Sequence, residues 1–183
     1  MSPAEGSRVG RTDYVALGMQ LLEERGYEAV TAAGLCDGLG VSRGSFYHHF
    51  GSFGDFVDAL LAHWESEYTD RMAFLAGEQA DQETRARTRI QLAVGLPHAA
   101  EAALRNWAVV NPAVAAGVRR VDDHRQAAMT ESLRADGLSK HKAELLASMA
   151  FSILVGMQQR QRVVDTDALN EMFVLFQQMA RSL

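Results

Sequence analysis

The run Gly40-Val41-Ser42-Arg43-Gly44-Ser45-Phe46-Tyr47-His48-His49-Phe50 constrains the fold more tightly than any other part of this chain. Gly40 can take the left-handed conformation that ends a helix, which a residue with a Cβ adopts only at a cost. Val41 is apolar and can plug a joint between two helices. Ser42 is a good N-cap for a following helix. Phe46 and Phe50, four apart, share one face and anchor that helix inward, leaving Arg43, Ser45, Tyr47 and His48 to project outward. Thr31 to Leu39 reads as another short helix. Two short helices about a Gly-containing turn match a helix-turn-helix, whose second helix enters a DNA major groove. A plain helical hairpin with a solvated outer face has the same local spacing.

The flanks extend the pattern. Upstream, Tyr14, Val15, Gly18, Leu21 and Leu22 form an apolar stripe at helical spacing, with Thr12 as its expected cap and Gly26 as its stop. Downstream, Ser52 with Asp55 has the form of a capping box. Phe53, Phe56, Val57, Leu60, Leu61 and Trp64 then follow as a core-facing helical stripe. This order, with Gly26-Tyr27, Gly40-Val41-Ser42 and Phe46-Tyr47-His48-His49-Phe50 in place, resembles the TetR family of bacterial transcription regulators over residues 10 to 64.

The resemblance implies that Ser42 to His49 form the recognition helix, with Gly44 in its first turn. Tyr47 and His48 stand where the family contacts DNA phosphates, and Thr31 is a further phosphate donor. Arg43 is the best candidate for base readout, able to bond bidentately to a guanine edge, and Ser45 comes second. Cys36 falls where the family has a small apolar residue, which implies a buried filler.

Three departures stand out. Phe53 and Gly54 occupy the start of the fourth helix, where the family commonly has a lysine. Gly34 and Gly38 sit inside the first helix of the motif, each costing about 1 kcal/mol relative to Ala. Residues 1 to 60 hold four arginines and no lysine against eight Asp or Glu, so counterion release and nonspecific DNA affinity are expected to be modest. Arg8 and Arg11, read as part of a leader, could reach DNA as a flexible arm, or could belong to a solvated tail.

A chain of 183 residues can bury a substantial core. Three prolines and almost no strand-like alternation point to an all-α protein. One cysteine leaves no internal disulfide framework and fits a cytoplasmic location. The leader lacks the apolar core of a signal peptide. The longest uncharged run, Leu145 to Gln159, is too short to span a bilayer, so no membrane partner is expected.

Punctuation divides the remainder. The fourth helix is expected to run from Ser52 or Phe53 to near Ala76, with Gly77 ending it. A charged helix follows from about Gln79 to Val94, and Pro97 and Pro112 open the next two. Ser139 and Thr166 are the expected caps of the last two. The domains are therefore a flexible leader at 1–9, a three-helix helix-turn-helix domain at 10–55 with its motif at 31–50, and a helical bundle at 56–183. By resemblance that bundle binds an effector and dimerises, its last two helices pairing across a twofold axis. Ser148, Ser152 and Gly156 form a small-residue stripe spaced at four, suited to close helix approach, and Phe173 and Phe176 join them as expected dimer contacts. The same stripe could serve packing within one chain.

Nothing points to catalysis, a metal or a cofactor. The six histidines lack cysteine partners or a His-Glu-x-x-His pattern, and no Gly-rich phosphate loop or Gly-x-Ser-x-Gly elbow occurs. The resemblance implies a small-molecule effector. Trp64, Tyr68, Met72, Trp107, Val110 and Met129 on the central helices could wall its pocket, although core packing needs the same residue types. The chain is thus expected to be a homodimeric, ligand-responsive DNA-binding regulator, most simply a repressor. The competing class is a helical adaptor or ligand-sequestering dimer that does not bind DNA.

Overall fold

The computed structural model describes residues 9–70, 81–161 and 163–182. Among them every regular element is helical: α1 (Arg11–Arg25), α2 (Ala32–Leu39), α3 (Arg43–His49), α4 (Phe53–Glu65), α5 (Gln82–Val94), α6 (His98–Ala108), α7 (Pro112–Ala135), α8 (Lys140–Arg160) and α9 (Thr166–Arg181). A 3-10 turn at Tyr27–Ala29 links α1 to α2, and a π turn at Ser66–Asp70 extends α4. Arg8, Met72, Ala76, Gly77 and Gln79 lie outside the described residues, and with them the leader and the expected end of the fourth helix.

Side-chain caps set most of the helix starts. Thr31, Ser42, Ser52 and Ser139 each accept a backbone N–H three residues on, and Asp81 does the same ahead of α5. Pro112 opens α7 behind the Asn111 cap. Two starts differ from expectation. α1 begins after Gly10, whose N–H is held by the Asp13 carboxylate at 2.7 Å, so Thr12 lies inside the first turn. α9 is capped by Asp165, whose carboxylate reaches the Ala168 N–H at 2.9 Å, rather than by Thr166.

Two apolar cores result. The first collects α1 to α4 together with Ala100, Ala103, Leu104 and Trp107 of α6 and Val114, Val118 and Val121 of α7. It therefore runs across the boundary expected at residue 55. α4 packs on both α1 and α7, and at Gly117 a Cβ would lie 2.9 Å from Leu61 Cδ1, so the two helices approach closely there. The second core joins α8 and α9 with Leu96 and Leu133.

A polar network crosses between the two. Glu101 is completely buried. Its carboxylate accepts from Trp64 Nε1 at 3.0 Å, from Arg125 at 2.7 and 3.0 Å, and from Gln158 Nε2 at 2.8 Å. Gln158 Nε2 also meets His98 Nδ1 at 3.2 Å, and His98 Nε2 meets the Val94 carbonyl at 3.0 Å, which fits the Nε2–H tautomer. Burial alone would raise the Glu101 carboxyl. The Arg125 charge and the donated hydrogen bonds outweigh it and hold the group below its ordinary range. α4, α6, α7 and α8 are thereby tied at one point.

Candidate nucleic-acid interface

α3 is only two turns long, so its stability comes from what it rests on. Phe46 and Phe50 are fully buried and meet ring to ring at 5.2 Å. Tyr14 of α1 and Phe56 of α4 pack against Phe46 at 5.6 and 5.9 Å. Gly40 takes φ 66, the left-handed conformation that ends α2 and turns the chain into α3. Cys36 fills the angle beneath, 3% exposed, its thiol directed at the Ser42 carbonyl at 3.6 Å; burial pushes its pKa up.

The glycines inside α2 have a packing role. A Cβ at Gly34 would lie 2.7 Å from the Ala29 carbonyl oxygen, and one at Gly38 would lie 2.7 Å from Leu17 Cδ2. The propensity cost therefore accompanies a close approach of α2 to the turn before it and to α1.

The outer side of the motif gathers the residues expected to meet DNA. Thr31, Ser42, Arg43, Gly44, Tyr47 and His48 are all exposed, Tyr47 by half, and Ser45 is partly covered. The hydroxyls of Thr31 and Ser42 accept their capping N–H groups, which leaves each O–H able to donate outward. Ser45 Oγ accepts from the Tyr14 hydroxyl at 3.1 Å, so the α1 core fixes its position.

Arg11 departs from the flexible-arm expectation. It opens α1, donates to the His49 carbonyl at 2.9 Å and lies 4.5 Å from the Phe50 ring centre. The side chain thus pins the C-terminal end of α3, where a cation also suits the helix dipole.

The residues expected to bind an effector separate. Trp64 and Trp107 belong to the first core; Trp107 stacks on Tyr27 at 6.2 Å and tilts against Phe53 at 6.4 Å. Tyr68 lies between the two cores, and Val110 is 66% exposed at the end of α6. Among the described ones only Met129 lines the cavity of about 510 Å³ bordered by α5, α7, α8 and α9. Arg85, Arg89, Ile90 and Phe151 of its wall were not singled out from the sequence. Their signal was the spacing of Arg85 and Arg89 with Ala86, Ile90 and Ala93, an apolar stripe within a helix that reads as merely charged.

The residues expected at a dimer contact also divide. Ser148 and Ser152 are exposed on α8, and Gly156 is partly so. Phe173 and Phe176 instead turn inward, each 7% exposed, onto the cavity and the second core. The outward positions beside them are Met172, Leu175 and Met179, with Leu145 and Met149 exposed on α8. Among the described residues no group of three or more His, Cys, Asp or Glu could hold a metal ion, and no helix is long and apolar enough to cross a membrane.

A helix-turn-helix seated on an aromatic core, ahead of a helical domain with its own cavity, defines a two-part all-α protein of the helix-turn-helix class. Residues 15–60 match the profile of the bacterial regulatory proteins, tetR family. HTH-type transcriptional repressor KstR2 of Mycobacterium tuberculosis is 41% identical over 51 residues, which are 28% of this chain and 26% of that protein. The match thus spans about a quarter of the curated relative's length. Fold similarity covers far more. A transcriptional regulator from Saccharomonospora viridis, crystallised with choline, aligns with TM-score 0.77 at 19% identity over 92% of this chain and 95% of that one. Reduced NemR of E. coli aligns with TM-score 0.77 at 17% identity over 93% and 96%. The similarity to the tetR family thus lies in residues 15–60, and the wider likeness is one of fold.

Proposed function

We propose that this protein is a homodimeric, ligand-responsive transcription regulator that represses from an operator and is released by a small molecule. The observation that carries the proposal is the outer face of α3. Arg43, Tyr47 and His48 stand exposed on a helix whose inner face is fully buried, with the hydroxyls of Thr31, Ser42 and Ser45 beside them. In this reading Tyr47, His48 and Thr31 grip phosphates, Arg43 reads a base edge, and Ser45 assists it. Gly44 keeps the front of the helix slim enough for close approach. KstR2, 41% identical over 51 residues, bears the name of a transcriptional repressor. Such a protein works in the cytoplasm, where its DNA is.

Pairing rests on the apolar side chains left outside on the last two helices, with Ser148, Ser152 and Gly156 offering a close approach on α8. The effector site is the 510 Å³ cavity, a size suited to a small organic ligand. Choline bound to the Saccharomonospora viridis regulator is a precedent for a small molecule in a protein of this fold. Arg125 lines the cavity and bonds both Glu101 and the Tyr68 carbonyl, while Glu101 takes the Trp64 N–H of α4. α4 also carries Phe56, which supports α3. A ligand that displaces Arg125 would shift α4 and favour a spacing of the two recognition helices that no longer fits paired half-sites.

Selection of bound sequences from a random duplex library, with Tyr47→Ala in parallel, tests this function. The expected result is an enriched palindrome that the variant fails to recover. No enrichment by a folded, ligand-free dimer would instead support the adaptor or ligand-sequestering class.

A further inference from the structure

The cavity has a chemical polarity. Its wall is largely apolar, with Ile90, Leu154, Phe173 and Phe176 among its side chains. The part-buried charged side chains of its lining are arginines, Arg85, Arg89 and Arg125. The carboxylates that partner them, Asp136 and Glu101, are 4% and 0% exposed and stand behind the arginines, outside the lining. Glu131 reaches the rim, but its carboxylate is 71% exposed and pairs with Arg134.

The arginines differ in how they are held. Arg125 is gripped by both oxygens of Glu101. Arg89 receives one oxygen of Asp136, at 3.1 Å, because the other bonds Arg85. Its second terminal nitrogen donates to the Ser132 hydroxyl. A guanidinium carries five N–H donors, so these two bonds leave Arg89 with donor capacity toward the lumen, and Ser132 keeps its own O–H to donate. Burial lowers the pKa of Arg89 despite the help from Asp136, which marks a charge only partly compensated by its surroundings.

We propose that the cavity binds a hydrophobic carboxylic acid, its apolar body on the Ile90–Leu154–Phe173 wall and its carboxylate on Arg89 and Ser132. The planar fork of a guanidinium matches a carboxylate in charge and geometry. A cationic ligand would meet three guanidiniums, and a neutral one would leave the donor capacity of Arg89 unused. This ligand class rests on the cavity being the effector site.

The test is titration calorimetry of the full chain with dodecanoate, dodecanol and dodecylammonium, each below its micelle concentration. Dodecanoate is expected to bind about tenfold or more tighter than dodecanol, with dodecylammonium weakest. Arg89→Met should bring dodecanoate down to the dodecanol level while dodecanol binding stays the same. Because that variant removes a partner of Asp136, Ala150→Trp provides a second arm; it fills the cavity, leaves the arginines in place, and should abolish binding of all three probes. Equal or tighter binding of dodecanol or dodecylammonium overturns the proposal, as does dodecanoate binding that survives Ala150→Trp. Displacement of selected DNA is read separately. If dodecanol alone binds and releases DNA, the ligand class falls and the effector site stands. If no DNA sequence is ever selected, the regulator reading falls whatever the calorimetry gives.

Discussion

Substituting Glu101 by Gln is the sharpest perturbation of the link between the two cores. The carboxylate is fully buried and gathers donors from Trp64, Arg125 and Gln158 at 2.7 to 3.0 Å. A Gln amide keeps the volume but removes the charge, and its NH₂ must face at least one of those donors. Arg125, 8% exposed, is left without the carboxylate that compensates it. Breaking one side of a buried ion pair costs about 3–5 kcal/mol. Arg125 borders the cavity and can be reached by water, so the lower end, about 3 kcal/mol, is the expected loss. Urea unfolding at pH 7 and fixed protein concentration measures it, since the proposed dimerisation would make stability depend on concentration. The double variant Glu101→Gln with Arg125→Met should lose less than the sum of the singles, because it leaves no orphaned charge. The pH dependence follows from the direction of the shift. The Glu101 carboxyl is held below its ordinary range, so its contribution is fully present above the unfolded-state pKa and is lost as pH falls through the folded one. Wild-type and Glu101→Gln curves should therefore converge in acid. A loss under about 1 kcal/mol at pH 7, or a gap that persists in acid, would refute the reasoning.

Three further outcomes are expected. Tyr47→Ala should weaken binding to all duplexes about equally, whereas Arg43→Ala should mainly relax selectivity, by about 1–3 kcal/mol at the affected base pair; anisotropy titrations on matched and mismatched sites separate them, and equal losses of selectivity contradict the division. Gly34→Ala should lower the melting temperature despite better helix propensity, because its Cβ meets the fixed Ala29 carbonyl, while Gly38→Ala meets the movable end of Leu17 and should be tolerated. A stabilised Gly34→Ala in thermal unfolding would sink that argument. Leu175→Glu, at an exposed position on α9, should leave the fold intact and shift sedimentation toward monomer, and an unchanged dimer would remove this face from the proposed interface.

How far the fold could be read in advance differs from one region to the next. The caps at Ser42, Ser52 and Ser139 were legible because a small hydroxyl before an apolar helical stripe has few other uses. Thr166 stands beside Asp165, the residue that caps α9, and adjacent residues of similar capping ability differ only in backbone conformation. Phe46 and Phe50 were legible as inward anchors from their spacing alone. Trp107 was not, since a cavity wall and a core ask for the same side chains; only the arrangement of α6 against Tyr27 and Phe53 assigns it to the core. Phe173 and Phe176 were misdirected for a related reason. α9 is apolar on two sides, and periodicity does not say which side meets its own chain. Arg85 and Arg89 were hidden by composition, because a charged helix ordinarily faces water.

In the proposed function the outer face of α3 reads DNA in a paired arrangement. Hydroxyl-radical footprinting of the selected duplex, with wild type and Arg43→Ala, tests it most directly. Two symmetry-related protected segments are expected, their centres about one helical turn or a multiple of it apart, with protection in the variant spreading to mismatched sites. A single asymmetric footprint, or one that Arg43→Ala leaves unchanged in position and selectivity, would contradict it.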